Sequence, residues 1–177
     1  MNKTIMGKLL TITLLLGFGS QGQASCPGGE NLAMVEATPS ADFMDMGDGL
    51  VRHRPTQLVW MRCALGQQWT GSECTGTADL LDWAAALHAA AGHDPAGFAD
   101  WRLPNRNELA SIVETRCHSP AINGDLFPDH PETEFWTSSL VTGQAGNVWV
   151  VDFDQGAVTP APDDQVHAIR LVSGGRM

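Results

Sequence analysis

The chain has 177 residues and a net charge of −10 at pH 7, a length that carries one domain with one sizeable core and leaves two domains cramped. A surface this negative repels phosphate backbones and anionic head groups. That excludes nucleic acid as a partner, and any polyanionic ligand needs a local basic patch.

At the N-terminus, Lys3 and Lys8 precede an apolar run from Leu9 to Phe18, then small and polar residues leading to Gly22-Gln23-Ala24. That order is a secretory leader, so residues 1–24 are expected to be a signal peptide and residues 25–177 a single exported domain. The apolar run is about half of the ~20 residues that a membrane span needs, and no second one follows. No membrane span is expected, and the mature domain belongs in the periplasm or at the cell surface or beyond it. Cys26 raises lipidation as a rival to cleavage after Ala24, but Gln23 stands where a lipobox has Leu. The leader holds both lysines and no acid, so the mature domain sets eight arginines against twenty carboxylates, about −12.

Cys26, Cys63, Cys74 and Cys117 are an even set in an exported chain, which favours two disulfides. Cys63 and Cys74 flank a short polar segment with Gly66, Gly71 and Ser72, as a loop closed at its base would, so they are paired and Cys26 is left with Cys117. Metal binding is the rival, yet there is no C-x-x-C or H-x-x-x-H spacing.

In chain order, Phe43 to Met46 and Leu50 to His53 read as a hairpin about Gly47-Asp48-Gly49, and Leu58 to Arg62 as the next strand. Asp45 and Asp48 admit calcium, but no full ligand loop follows and a hairpin turn accounts for both. No cofactor is expected, that calcium apart. A helix is expected from Thr77 or Asp79 to Gly92, burying Leu80, Trp83, Ala84 and Leu87, with His88 and His93 solvated. In Trp101-Arg102-Leu103-Pro104-Asn105, Pro104 keeps Leu103 extended and Asn105 forms a capping box with Glu108. The helix so begun buries Leu109, Ile112 and Val113, and Arg102 ties loops together through carboxylates. Further strands are Phe135 to Ser139, Val148 to Phe153, Ala157 to Thr159 after a turn at Asp154-Gln155-Gly156, and His167 to Val172, with alternating faces. The class is α+β.

The blocks Gly47-Asp48-Gly49-Leu50-Val51, Leu58-Val59-Trp60-Met61-Arg62-Cys63, Gly66-Gln67-Gln68-Trp69, Trp101-Arg102-Leu103-Pro104-Asn105, Phe135-Trp136-Thr137-Ser138-Ser139 and Trp149-Val150-Val151-Asp152-Phe153 carry a resemblance. The chain resembles the family named for the C-terminal domain of the Legionella collagen-like adhesin, over nearly all of the mature domain. The Arg-Leu-Pro segment also resembles the formylglycine-generating enzyme superfamily. Both resemblances imply a C-type-lectin-like fold, two helices packed on a twisted, mostly antiparallel sheet, here stapled by disulfides. They imply binding of glycans, proteins or receptors. The namesake's sulfated glycosaminoglycan ligand is not carried over, because the acidic mature domain has no Lys. The Trp-Asn-Asp run of calcium-dependent lectins is absent, and Ala161-Pro162-Asp163-Asp164 only loosely echoes their Pro-centred triplet.

The expected function is a non-catalytic adhesion or carbohydrate-binding module of the cell envelope, whose partner is a glycan or a surface protein. The expected ligand-binding rim is Gln144, Asn147, Trp149, Asp154, Gln155, Asp163, Asp164 and His167, polar groups beside an aromatic platform. An accessory subunit of a surface assembly is the alternative, with Trp69 the one tryptophan off a core-like phase. An oxidase related to the formylglycine generator needs a reactive cysteine pair, and all four cysteines are better explained as structural. Titration of the native and the denatured, unreduced protein with a thiol reagent should therefore find no free thiol; one or more per chain contradicts the pairing.

Overall fold

The computed structural model describes residues 24–93 and 100–175, so the leader lies outside the described residues except for Ala24. After a short strand, β1 (Gly29–Glu30), the predicted hairpin forms as β2 (Phe43–Gly47) and β3 (Leu50–His53). Its tip takes Gly47, Asp48 and Gly49 through positive φ, which two glycines and an Asp tolerate. Then come β4 (Val59–Met61), a ribbon of β5 (Gln68–Trp69) and β6 (Cys74–Thr75), α1 (Trp83–Ala91) and α2 (Arg106–Ala110). The C-terminal half holds β7 (Cys117–His118), β8 (Glu134–Leu140), β9 (Asn147–Asp152), β10 (Ala157–Pro162) and β11 (Val172–Ser173). The class is α+β, with a four-stranded sheet ordered β11-β4-β3-β2, a three-stranded sheet ordered β10-β9-β8, and two-stranded ribbons β1-β7 and β5-β6. All these strand pairs are antiparallel.

Side chains alternate across a strand, and here both faces of the central strands are covered. Val51, Trp60, Phe135, Val151, Ala168 and Val172 enter one apolar cluster with Leu109, Ile112, Phe127 and Phe153. Their neighbours Leu50, Val59, Trp136, Val150, Ile169 and Leu171 enter the other, with Ala86 and Ala90 of α1 and with Trp101 and Leu103. Each large side chain so buried contributes roughly 1.5–3 kcal/mol relative to exposure.

The segment His167 to Leu171 joins the sheets, and it departs from the regular strand expected there. Regular pairing is confined to β11, while upstream the chain changes partner almost residue by residue. His167 bridges Leu81, Ala168 bridges Phe135 in parallel, and the amides of Leu65 and Met61 donate to the carbonyls of Ile169 and Leu171. Alternation does not expose one face, because residues 167–172 are all buried. Arg170 is fully enclosed, donating to the carbonyls of Met61 and Arg62 with its guanidinium 4.8 Å from the Phe127 ring. Burial pushes its pKa down to about 9.

α1 starts later and faces differently than its periodicity predicts. Leu81 is held extended by its bridge to His167, so the first helical turn forms only after Asp82, whose carboxylate accepts from the Ala85 amide. The inward face is then Ala86 and Ala90, and of the expected set Trp83 packs part-buried against their cluster, while Leu80 is 53% and Leu87 37% exposed, and Ala84 is exposed too. Gly92 caps the helix as expected, and His88 is exposed. Trp69 is also corrected. It is half-buried against Gly49, where an added Cβ would stand 2.8 Å from the indole Cγ, and the Arg62 guanidinium lies 5.4 Å from its ring.

Two disulfides close the expected pairs, Cys26–Cys117 and Cys63–Cys74. By chain entropy the long loop contributes about 4 to 5 kcal/mol and the short one about 3. Beyond Cys26 the N-terminal segment is held by polar contacts more than by the core: β1 on β7, Glu30 on Arg116, and Glu114 on the backbone of residues 37 and 38. Glu114 is fully buried and accepts from the amides of Ala37, Thr38 and Arg116 and from the Thr38 hydroxyl. Burial pushes its carboxyl up, but those hydrogen bonds outweigh burial and hold it below its ordinary 4.5. A depressed folded pKa stabilises the fold fully above that ordinary value, and the contribution is lost as pH falls through the folded value. Glu114→Gln should therefore cost about 3 kcal/mol in urea unfolding at pH 7 and shrink the further loss on going to about pH 3.5. A variant as stable as the parent at pH 7 contradicts this role.

Candidate functional site

The segment from Trp101 to Glu108 builds one side of the site. Arg102 meets Glu108 with two parallel hydrogen bonds of 2.8 Å and gives a further one, 2.7 Å, to the Gly174 carbonyl. Glu108 also accepts from the Asn105 amide while Asn105 accepts from the Glu108 amide, the capping box read from the sequence. Burial raises the Glu108 carboxyl, yet Arg102 and the Asn105 amide together hold it below its usual range. The predicted structural role of Arg102 is what the geometry gives, and Trp101, Leu103 and Pro104 are buried behind it.

The other side is a bulge in β8. Trp136 pairs with Val150 and Leu140 with Val148, so Thr137, Ser138 and Ser139 stand against Trp149 alone. Bulges of this kind bend a strand and re-aim its side chains. The Thr137 hydroxyl donates to the Trp149 carbonyl at 2.6 Å, and the Trp83 indole N–H donates to the Thr137 carbonyl. The Ser138 amide donates to the Pro104 carbonyl, and the Arg106 amide donates to the Ser139 hydroxyl oxygen. The bulge thereby clamps the start of α2 against β8.

Between the two sides is an open cleft of about 300 Å³ lined by Asn105, Arg106 and Asn107, by Ser139, Leu140 and Thr142, and by Trp149. The Arg106 guanidinium lies 4.9 Å from the Trp149 ring centroid, and its Nε donates to the side-chain Oδ1 of Asn107. Leu140, 61% exposed, separates this cleft from a second hollow over the loop Val141, Gly143, Gln144, Ala145 and Gly146. The lining carries amides, hydroxyls, one cation and one aromatic ring, with no Asp, Glu, His or Cys. Such a set donates and accepts hydrogen bonds and stacks, and it offers no proton-transfer group that titrates near neutrality.

The structure divides the predicted rim into separate places. Trp149 is in the cleft and Gln144 in the adjoining hollow, with Asn147 half-buried at the base of the same loop. Asp163 and Asp164 are exposed at that end of the sheet, where the Asp163 amide donates to the Gly146 carbonyl. Asp154 and Gln155 are at the opposite end of the β9–β10 hairpin, a strand length of about 17 Å away. There Asp154 accepts from the Gln155 side-chain Nε2 and from the Ser119 hydroxyl, contacts that lower its pKa. His167 leaves the rim altogether. It is buried, 3.2 Å from Glu134 and edge-on to Trp136, and burial lowers its pKa against the pull of Glu134.

Arg106, Asn107, Ser139 and Thr142 were not picked out by sequence. Arg106 follows the recognised cap directly, which was the one available signal; its meeting with Trp149 depends on the β8 bulge. At the other candidate position, the hairpin tip, both Asp45 oxygens are engaged, one by the Gly47 amide and one by Arg62 at 3.3 Å. Among the described residues no group of three or more His, Cys, Asp or Glu is arranged to hold a metal. A further hollow near Cys74 has Glu73, Asp129, His130 and Glu132 on its lining. Its Asp129 accepts from the Cys74 amide, and burial together with Arg170 holds the His130 pKa far down.

No helix among the described residues is long and apolar enough to cross a membrane. A search of curated proteins found no match to the sequence. The model of the Lcl C-terminal domain matches residues 49–173, from the hairpin tip through β11, and the chain belongs to that family.

Proposed function

We propose that the chain is an exported, non-catalytic ligand-binding module of the bacterial cell envelope, adhesin-like, and that its ligand is a glycan seated in the Trp149 cleft. The observation that carries this is the composition of the cleft: an aromatic ring, three side chains from the capped start of α2 and two hydroxyl residues, with no carboxylate. A saccharide presents apolar C–H faces for stacking and hydroxyls that both donate and accept, and this lining matches both needs. Membership of the Lcl C-terminal domain family supports the adhesin-like role, and the two disulfides support an oxidising compartment. Two helices on mostly antiparallel sheets with the loop 141–146 beside the cleft support a C-type-lectin-like placement of the site. Oxidase chemistry of the formylglycine-generating kind calls for reactive thiols, and all four cysteines are bonded in pairs.

The alternative, an accessory subunit of a surface assembly, draws support from Leu32, Met34 and Val35, three exposed apolar residues close together in the N-terminal segment. Trp69, the side chain that the sequence offers for that role, packs against the tip of the β2–β3 hairpin at Gly49.

A glycan array probed with the chain secreted through its own leader, with millimolar calcium and without, tests the proposal. Wild type should bind a defined set of glycans, and Trp149→Ala should weaken binding about tenfold or more, the loss of about 1.4 kcal/mol of stacking. Asn107→Ala, on an exposed position, gives a second reading where the tryptophan change disturbs β9. No bound glycan in either condition contradicts the proposal.

A further inference from the structure

Arg106, like Arg52 and Arg54, has no ion pair among the described residues, and of these three it is the one that lines the Trp149 cleft. Arg62 pairs with Asp45, Arg102 with Glu108 and Arg116 with Glu30, while Arg170 is enclosed on backbone carbonyls. No described carboxylate is within ion-pair distance of Arg106, in a chain with twice as many acids as basic residues. The one acid of its own helix, Glu108, is already held by Arg102. Its guanidinium carbon lies over the Trp149 ring, 4.9 Å from the centroid, a cation–π contact that uses up none of its N–H donors. Nε is turned to Asn107, and Nη1 and Nη2 have no hydrogen-bond partner among the described residues. The result is a planar pair of donors, pre-oriented by an aromatic ring at the edge of a cleft without acids.

We infer that the cleft selects saccharides carrying a carboxylate, with Arg106 as the residue that determines this specificity; the inference rests on the glycan reading of the same site. Two adjacent guanidinium N–H groups match the two oxygens of one carboxylate in a bidentate pair, which fixes orientation as well as charge. Asn105, Asn107, Ser139 and Thr142 are then left for the ring hydroxyls. One cation in the lining of the cleft suits a single charge. A polysulfated chain would lay further anions along a surface that repels them, and it needs a stripe of cations that the described residues do not supply. The uronic and nonulosonic acids are the sugar classes with one such group per residue.

The test is an array carrying uronate- and nonulosonate-terminated glycans, their methyl esters, their neutral counterparts and sulfated chains, probed with the secreted full chain. Binding of the free acids should exceed binding of the matched esters by about 10- to 100-fold, and Arg106→Gln should remove that preference while leaving weak binding of the neutral sugars. Arg106→Lys, which keeps the charge without the planar fork, should restore only part of it. Equal binding of acids and esters, a preference that survives Arg106→Gln, or sulfated chains bound as well as the carboxylates overturns the inference and leaves the glycan site standing. No glycan bound at all removes the glycan reading and this inference with it.

Discussion

The pairing of Arg102 with Glu108 is the constraint on which the site depends. Neither side chain is more than about a fifth exposed, with values of 19% and 17%, so the pair is largely shielded from the screening that weakens surface ion pairs. Glu108 serves three ends at once: it answers the charge of Arg102, satisfies the Asn105 amide, and sets the first turn of α2. Arg102 in turn bridges to Val172 through its backbone and to Gly174 through its side chain, so α2 is registered against the C-terminal segment. Arg106 reaches Trp149 only from this start. A five-residue helix is far too short to hold itself together in water, and the capping box, the ion pair and the buried Leu109 supply what propensity alone does not.

Around that junction, a small domain covers its central strands on both faces. Helix α1 buries Ala86 and Ala90 in one cluster and packs the part-buried Trp83 and Ala89 against it, beside the buried Trp136 and Trp101. The other cluster is closed by Phe127, Phe153, Leu109 and Ile112, drawn largely from loops. Loops without regular pairing need other restraints. The two disulfides supply covalent ones, Glu114 accepts from the amide of Thr38, and the buried Arg62 and Arg170 donate to the carbonyls of Leu126 and Met61. The same economy of regular structure leaves the β8 bulge and the loop 141–146 free to shape a cleft.

Local chemistry was readable from the sequence, and contacts made at long range were not. The hairpin at Gly47-Asp48-Gly49, the capping box of Asn105 and Glu108, the glycine stop at Gly92 and the strands around Phe135 and Val150 all rest on neighbours within a few residues. The disulfide pairing also followed, because Cys63 and Cys74 enclose a short turn-rich loop. The face of α1 was misread because Leu81 is captured by His167 across the fold, which delays the helix and rotates its apolar side. His167 is placed on the rim by sequence as one polar group among others near Trp149, and only the packing against Glu134 and Trp136 shows that it is buried. Of the predicted rim, Trp149 and Gln144 fall together beside the cleft, while Asp154 and Gln155 are a strand length away, since a hairpin's tip and its base cannot share one surface. Arg106 escaped notice because a register shift in β8 brings it to Trp149, and nothing in the residue pattern of Thr137-Ser138-Ser139 announces that shift.

The central claim is that ligand binds between Arg106 and Trp149, and the chain's six tryptophans make it directly measurable. With the indole nitrogens labelled and assigned, a glycan bound by the full chain is titrated while the six N–H resonances are followed by NMR. The account predicts that the Trp149 resonance moves with saturation while those of the buried Trp60, Trp101 and Trp136 stay in place. A stationary Trp149, with backbone shifts gathered instead at the Asp154-Gln155-Gly156 tip, would contradict it.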